Sequence, residues 1–191
     1  SPVAGLPRER TGRGLGALLL SHPCNPAGRL IDGEALEGWV RQSRELDCAL
    51  LFDEFYSHYV YGSGAEPHLA SAARYVDNVD RDPVLIFDGL TKNWRYPGWR
   101  VCWTLGPREV IEAVASAGSF IDGGCALPMQ LAALPLVKRE IADQEARATQ
   151  KTFGAKRAFL SGAPARMGNR HRPTPGGGCA SRGALSRRPA R

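Results

Sequence analysis

No run of apolar residues in this 191-residue chain approaches the ~20 that a membrane-spanning helix needs, so no membrane span is expected. The opening residues Ser1 to Leu6 contain no basic stretch followed by an apolar one, so no signal peptide is expected either. The five cysteines (Cys24, Cys48, Cys102, Cys125 and Cys179) form no CxxC pair. The histidines (His22, His58, His68 and His171) fall at no metal-ligand spacing. These absences argue against a metal site and for a reduced, cytoplasmic chain with small buried thiols. Acids and lysine are also missing from Gly162 onward, where seven arginines (Arg166, Arg170, Arg172, Arg182, Arg187, Arg188 and Arg191) stand among six glycines and four prolines. Taking those seven charges from the formal net +6 leaves a body of −1, so the basic balance belongs to the tail alone. A segment so poor in large apolar residues cannot offset its ordering entropy, and 162–191 is expected to be a disordered or aberrant tail. It has no interleaved aromatics, so its charge is read as non-specific and no nucleic-acid partner is expected.

What is present is an alternation of short apolar runs and amphipathic stretches. Ala17–Ser21, Cys48–Phe52, Pro83–Phe87 and Val101–Leu105 read as strands buried on both faces. Residues from about Gly33 to Leu46 read as a helix with Leu36, Trp39 and Val40 on one face. Pro107 to about Ala117 reads as a second helix, with Pro in its first turn, Val110, Ile111 and Val114 inward, and Gly118 at its end. Pro128 to about Leu160 is helical in pattern, broken or kinked at Pro135, and 61–82 reads as a partly helical excursion. The alternation predicts an α/β fold of three layers, a mostly parallel sheet flanked by helices. The short step from the third run to the fourth leaves room for a mixed sheet order. Gly12–Gly16 precedes a strand instead of following one, so it fails the context test for a dinucleotide fingerprint.

Ligands in open α/β sheets bind beyond the carboxyl ends of the strands. There this chain carries Asn25-Pro26-Ala27-Gly28, then Asp53-Glu54-Phe55-Tyr56, then Leu90-Thr91-Lys92-Asn93 leading to Tyr96-Pro97-Gly98-Trp99-Arg100. Taken singly, the first is a turn, the second a helix cap or solvated pair, the lysine surface charge, and Pro97-Gly98 another turn. Their order at successive strand ends is the informative feature. An amide, an acid with a phenol, and a lysine with an arginine can together hold a phosphorylated pyridine aldehyde by every polar handle it has.

On those residues the chain resembles the fold-type I, class I/II pyridoxal-phosphate aminotransferases. The matching pieces are Ser21–Gly28, Asp53–Tyr56 and Thr91–Val101, with a weaker match at Gln130, Ala132 and Ala133. The resemblance spans about Ala17 to Leu160 and implies a partial chain. Residues 1–127 would be the C-terminal half of the cofactor-binding large domain, and 128–161 the helix leading towards the small domain. It implies that Lys92 forms the Schiff base with pyridoxal 5'-phosphate and later carries the proton, and that Arg100 binds the phosphate. It also implies that Asp53 pairs with the pyridinium nitrogen, while Asn25 and Tyr56 bond the ring's phenolic oxygen. The implied substrates are an amino acid and a 2-oxo acid, and the implied assembly of the intact enzyme is a homodimer. Gly89 is a departure, because the family usually has Ser or Thr on the phosphate three residues before the lysine. The family's glycine-rich phosphate loop, ring-stacking aromatic and substrate-carboxylate arginine have no counterpart assigned in this chain. A lyase or decarboxylase on the same scaffold, and a non-catalytic remnant, are the alternatives left open.

Overall fold

The computed structural model describes residues 15–61 and 68–166. Four strands, β1 (Ala17–Ser21), β2 (Ala49–Asp53), β3 (Val84–Gly89) and β4 (Cys102–Leu105), form one sheet in the order β1-β2-β3-β4. The first three run parallel in unbroken register, Ser21 beside Asp53 and Asp53 beside Phe87. β4 returns antiparallel, with Gly89 facing Cys102 and Ile86 facing Leu105. The sheet is therefore mixed, as the short link between the last two runs allowed. The twelve residues between β3 and β4 are at the lower limit for a parallel crossover, and they form the lysine turn and the Pro97–Trp99 turn in place of a covering helix.

Helix α1 (Glu34–Leu46) carries Glu34 and Glu37 in its first turn and Arg44 in its last, each favourable to the helix dipole. Leu36 and Val40 lie one turn apart and are both fully buried. They pack with Leu50, Phe52, Ala72, Val84 and Ile86 to form the main core, with Trp39 at its margin. The helix ends at Asp47 in the left-handed region (φ 49°), which lets the Cys48 amide reach the Ser43 carbonyl at 3.0 Å and turns the chain into β2. Arg44 ties this helix to the 72–82 segment. It donates to both oxygens of buried Asp82 at 2.7 Å and to the Tyr75 carbonyl at 2.9 Å. Asp82 also accepts from the amides of Asp77 and Asn78, and the guanidinium holds its carboxyl below the usual carboxylate range. Asp82→Ala is expected to cost about 2 kcal/mol, read as a lowered denaturation midpoint; an unchanged midpoint would show that the fold does not depend on this clasp.

A second core holds the far side of the lysine turn. Leu90, Trp94, Val101 and Ala133 are buried together, with Trp99, Trp103 and Met129 packed against them. The Trp94 indole N–H donates to the Leu136 carbonyl at 3.0 Å. This core joins β3 and β4 to α3 (Leu127–Ala133) and α4 (Arg139–Arg166), which are separated by the turn containing Pro135. α4 runs past Gly162, the expected start of the tail, as far as Arg166; the rest of that tail lies outside the described residues.

Helix α2 (Arg108–Ile121) departs from expectation twice. Gly118 does not end it. Its carbonyl instead accepts the amides of Asp122 and Gly123, and Gly123 takes the left-handed stop at φ 69°. Of the three residues expected to face inward, Ile111 is half-buried while Val110 and Val114 are exposed. Val110 is 38% exposed, Val114 44% and Phe120 90%, and α2 has no buried residue. The period of the apolar residues was legible, but among the described residues nothing covers that face. The expectation of small buried thiols holds only for Cys48; Cys102 is exposed, Cys24 and Cys125 are half-buried, and Cys179 lies outside the described residues. Among the described residues no helix is long and apolar enough to cross a membrane.

Candidate functional site

The register of β1, β2 and β3 brings three strand ends to one edge, and the ladder continues one bond beyond each. The His22 amide donates to the Asp53 carbonyl and the Glu54 amide to the Phe87 carbonyl, both at 2.8 Å. Asp53 thus closes the middle strand, flanked on both sides. Its Oδ1 accepts the Phe55 amide at 3.3 Å, which starts the turn that follows.

The loop after β1 is held by its own polar groups. The Asn25 amide donates to Ser21 Oγ at 3.1 Å, Gly28 N–H to the Cys24 carbonyl at 2.6 Å, and buried His22 places Nε2 2.6 Å from the Ile31 carbonyl. Gly28 sits at φ 66°, a conformation that favours glycine. This loop aims Asn25 across the sheet edge, where its Nδ2 donates to the Tyr56 hydroxyl at 3.4 Å, 31 residues away in sequence. Tyr56 meets Tyr59 edge to face with ring centres 5.5 Å apart, and the Tyr59 hydroxyl donates to the Lys92 carbonyl at 3.2 Å. One continuous run of contacts therefore leads from the end of β1, through the turn after β2, to the turn after β3.

Of the five residues singled out from sequence, Asn25 and Tyr56 touch directly, and Asp53 ends β2, the strand that leads into the Tyr56 turn and lies between the strands that precede Asn25 and Lys92. The backbone of Lys92 is held by Tyr59 while its side chain is exposed. Arg100 follows the Pro97–Trp99 turn in the left-handed region (φ 56°). The Leu90 amide donates to Val101 O at 3.0 Å and the Tyr96 amide to Leu90 O at 2.9 Å, which bring the Arg100 end of that loop back beside the lysine turn. The Arg100 guanidinium is exposed and donates to the Pro97 carbonyl at 3.3 Å. Among the described residues, no hydrogen bond or ion pair joins Lys92 or Arg100 to Asn25 or Asp53. The edge thus presents an amide and a phenol close enough to share one oxygen, a carboxylate, and two exposed cations on the β3 side.

Comparison with known proteins decides the family. Residues 8–172 match the family described as "Aminotransferase class I and II". The chain belongs to that family. It is 36% identical over 102 residues to an aspartate aminotransferase of Streptomyces avermitilis, covering 53% of this chain and 24% of the relative. It is 36% identical over 103 residues to an aspartate/prephenate aminotransferase of Thermus thermophilus, covering 54% of this chain and 25% of the relative. The fold superposes on a single mutant of Thermus thermophilus aspartate aminotransferase with a TM-score of 0.72 and 27% identity, over 85% of this chain and 41% of the other. The match covers about a quarter of the length of each of these two curated relatives.

What this aminotransferase-family chain did not disclose in its sequence is the layer behind the edge. Glu54 reads as a cap or a solvated acid, yet it is only 2% exposed, and its Oε1 accepts the Ala72 amide at 2.8 Å. Burial pushes its carboxyl up to about 7, opposed in part by hydrogen bonds from Ser71 and Ala72. Asp88, in β3, is likewise pushed up to about 7 by burial, and Gly89 N–H and Asn93 Nδ2 both donate to its Oδ1. His58 is pushed down to about 4 by burial, so its ring is neutral and Nδ1–H donates to the Asn93 carbonyl at 3.1 Å. The one signal that could have found this layer is the polar Asn93 standing between the lysine and the core residue Trp94.

Proposed function

We propose that this chain carries the cofactor edge of a pyridoxal-phosphate-dependent aminotransferase that moves an amino group between an amino acid and a 2-oxo acid. The observation that carries the reading is the Asn25–Tyr56 contact beside Asp53, with the Lys92 turn tied in through Tyr59. The donor set fits the cofactor. Asn25 Nδ2 and Tyr56 Oη, 3.4 Å apart, can both donate to one phenolic oxygen. The Asp53 carboxylate pairs with the pyridine nitrogen and keeps it protonated through a charge-assisted bond of about 1.5–3 kcal/mol. Arg100 offers a planar fork to the phosphate. When bound, the group supplies an electron sink for the pair left as the substrate's α-proton departs. Lys92 Nζ holds the group and, once displaced by substrate, moves that proton; a relay of this kind contributes about 10²–10⁴-fold. The family supports a homodimer as the working assembly, and the unpaired thiols of Cys24, Cys48, Cys102 and Cys125 support a cytoplasmic setting.

The chain has four lysines, Lys92, Lys138, Lys151 and Lys156, which makes a direct test simple. After incubation with pyridoxal 5'-phosphate and reduction with borohydride, peptide mass mapping is expected to find the label on Lys92 in preference to the other three. In Lys92→Ala the preferred label is lost. Equal labelling of all four lysines would overturn the reading. Transfer to a 2-oxo acid, assayed on the same preparation, separates amino transfer from decarboxylation or elimination.

A further inference from the structure

We infer that Asn93 is a positioning residue that fixes the Lys92 amine relative to Asp53, by clamping the turn that carries the lysine to the turn that follows the aspartate. The inference rests on Lys92 being the cofactor lysine.

Asn93 is 0% exposed, directly beside a lysine whose own side chain is exposed. Its Nδ2 donates to Asp88 Oδ1 at 2.8 Å, to Ser57 Oγ at 3.0 Å and to the Glu54 carbonyl at 3.1 Å. Its Oδ1 accepts the His58 amide at 3.1 Å, and its backbone carbonyl accepts from His58 Nδ1. One buried side chain therefore joins β3 at Asp88, the Lys92 turn, and the Glu54–His58 turn that begins one residue after Asp53. Few side chains could do this. An amide donates on one face and accepts on the other. Aspartate would set a carboxylate oxygen against Asp88 and offer no donor to Ser57 or Glu54. Leucine would leave the His58 amide unpaired in the interior, at about 1–3 kcal/mol, and would take one of its two donors from the Glu54 carbonyl, which keeps the Ser57 amide at 2.9 Å. The alternative orientation of the amide is excluded too, because it would point –NH₂ at the His58 N–H and oxygen at Asp88.

The clamp matters because where the amine starts is set through the backbone of its turn. Lys92 is held at its backbone by Tyr59 and the Arg95 amide, and its side chain is exposed. A group that must meet a reacting carbon loses rate steeply when its origin shifts by about 1 Å. Tying the lysine turn to the turn beside Asp53 sets the distance between the two groups that act on opposite sides of one ring. Asn93 touches neither ring nor substrate in this role, so its effect is transmitted through backbone position.

The test uses the 191-residue chain, pyridoxal 5'-phosphate, and the labelling of Lys92 relative to Lys138, Lys151 and Lys156 as an internal ratio. In Asn93→Ala, at a temperature where circular dichroism shows the fold retained, the Lys92 preference is expected to fall about tenfold or more. Ser57→Ala removes only one acceptor of the same amide and is expected to lower the preference by about threefold. A purely structural role would lower the melting temperature and leave the ratio unmoved in folded protein. An unchanged ratio in folded Asn93→Ala overturns the inference. If Asn93→Ala does not fold, an unchanged ratio in Ser57→Ala overturns it. Absence of any Lys92 preference in the unsubstituted chain is a different failure, because it removes the cofactor lysine itself and the inference with it.

Discussion

Gly89→Ser is expected to destabilise the chain by about 3 kcal/mol or more instead of restoring a hydroxyl to the phosphate side of the site. A Cβ built on Gly89 would lie 2.6 Å from the Val101 carbonyl oxygen, 2.7 Å from Cys102 Cα and 2.8 Å from Cys102 Cβ. These atoms belong to β4 and the residue leading into it, and Cys102 is the register partner of Gly89. Relief cannot come from a side-chain rotation, because two of the three atoms are backbone. The crowded oxygen is also already engaged, since Val101 O accepts the Leu90 amide at 3.0 Å. The antiparallel return of β4 therefore excludes any side chain where related enzymes usually place Ser or Thr. On the proposed reading, the phosphate must be met by Arg100, by Thr91 next to the lysine, or by backbone N–H groups. The measurement is the urea midpoint of Gly89→Ser and of Gly89→Ala, which should fall together because the first added carbon is the obstacle. Midpoints equal to that of the unsubstituted chain would mean that β4 yields freely and that the glycine has another cause.

The parts of this molecule that were legible in the sequence are those where the chemistry repeats. Leu18, Leu50 and Ile86 belong to continuous apolar runs, which do form the strands. The expected cover on both faces fails at β1, where Leu19 is 69% exposed, and at β4, where Leu105 is 51% exposed, because among the described residues only one face of each is packed. Leu36 and Val40 stand one turn apart in a segment with acids at its start and an arginine near its end, so α1 was legible to within a residue. Asn25, Asp53 and Lys92 could be picked out because strand ends are where an open sheet binds ligands, and because their order matched a family. Where the apolar face of α2 packs was not legible, since periodicity reports which side is apolar and says nothing of what lies against it. Gly118 misled for a related reason. A glycine inside a helix and a glycine ending one look alike until the next left-handed residue, Gly123, is located. The least legible layer was the polar one. Glu54, Asp88 and Asn93 have the composition of a solvated turn, and they are buried because segments up to 39 residues apart in sequence close over them. A buried hydrogen-bonded acid and an exposed one differ only in their surroundings, which a local pattern cannot contain.

That polar layer sets the last prediction. Glu54→Gln is expected to be more stable than the unsubstituted chain at pH 8 and to lose most of that advantage at pH 5. The carboxyl of Glu54 is held up at about 7 by burial, against an ordinary value of 4.5, so between those limits the folded chain binds a proton that the unfolded chain does not. Its contribution to stability is complete below about pH 4.5 and is lost as pH rises towards 7. Asp88 behaves in the same way, raised to about 7 first by burial, while Glu54 and Asp53 disfavour its ionised form further. Two buried histidines oppose them. His58 and His22 are both lowered by burial, so they contribute stability that is lost as pH falls below about 6.5. A stability profile of the unsubstituted chain would partly conceal each effect behind the other. The difference between Glu54→Gln and the parent removes the histidines from the comparison. It is expected to grow by about 2–3 kcal/mol between pH 5 and pH 8, an order-of-magnitude figure set by the pKa shift. Gln keeps an oxygen for the Ala72 amide, so loss of that bond does not confound the result. Denaturant midpoints of the two proteins at both pH values provide the measurement. A difference that stays constant with pH would mean that the Glu54 carboxyl titrates as it does in water, and that the layer behind the strand ends is open to solvent.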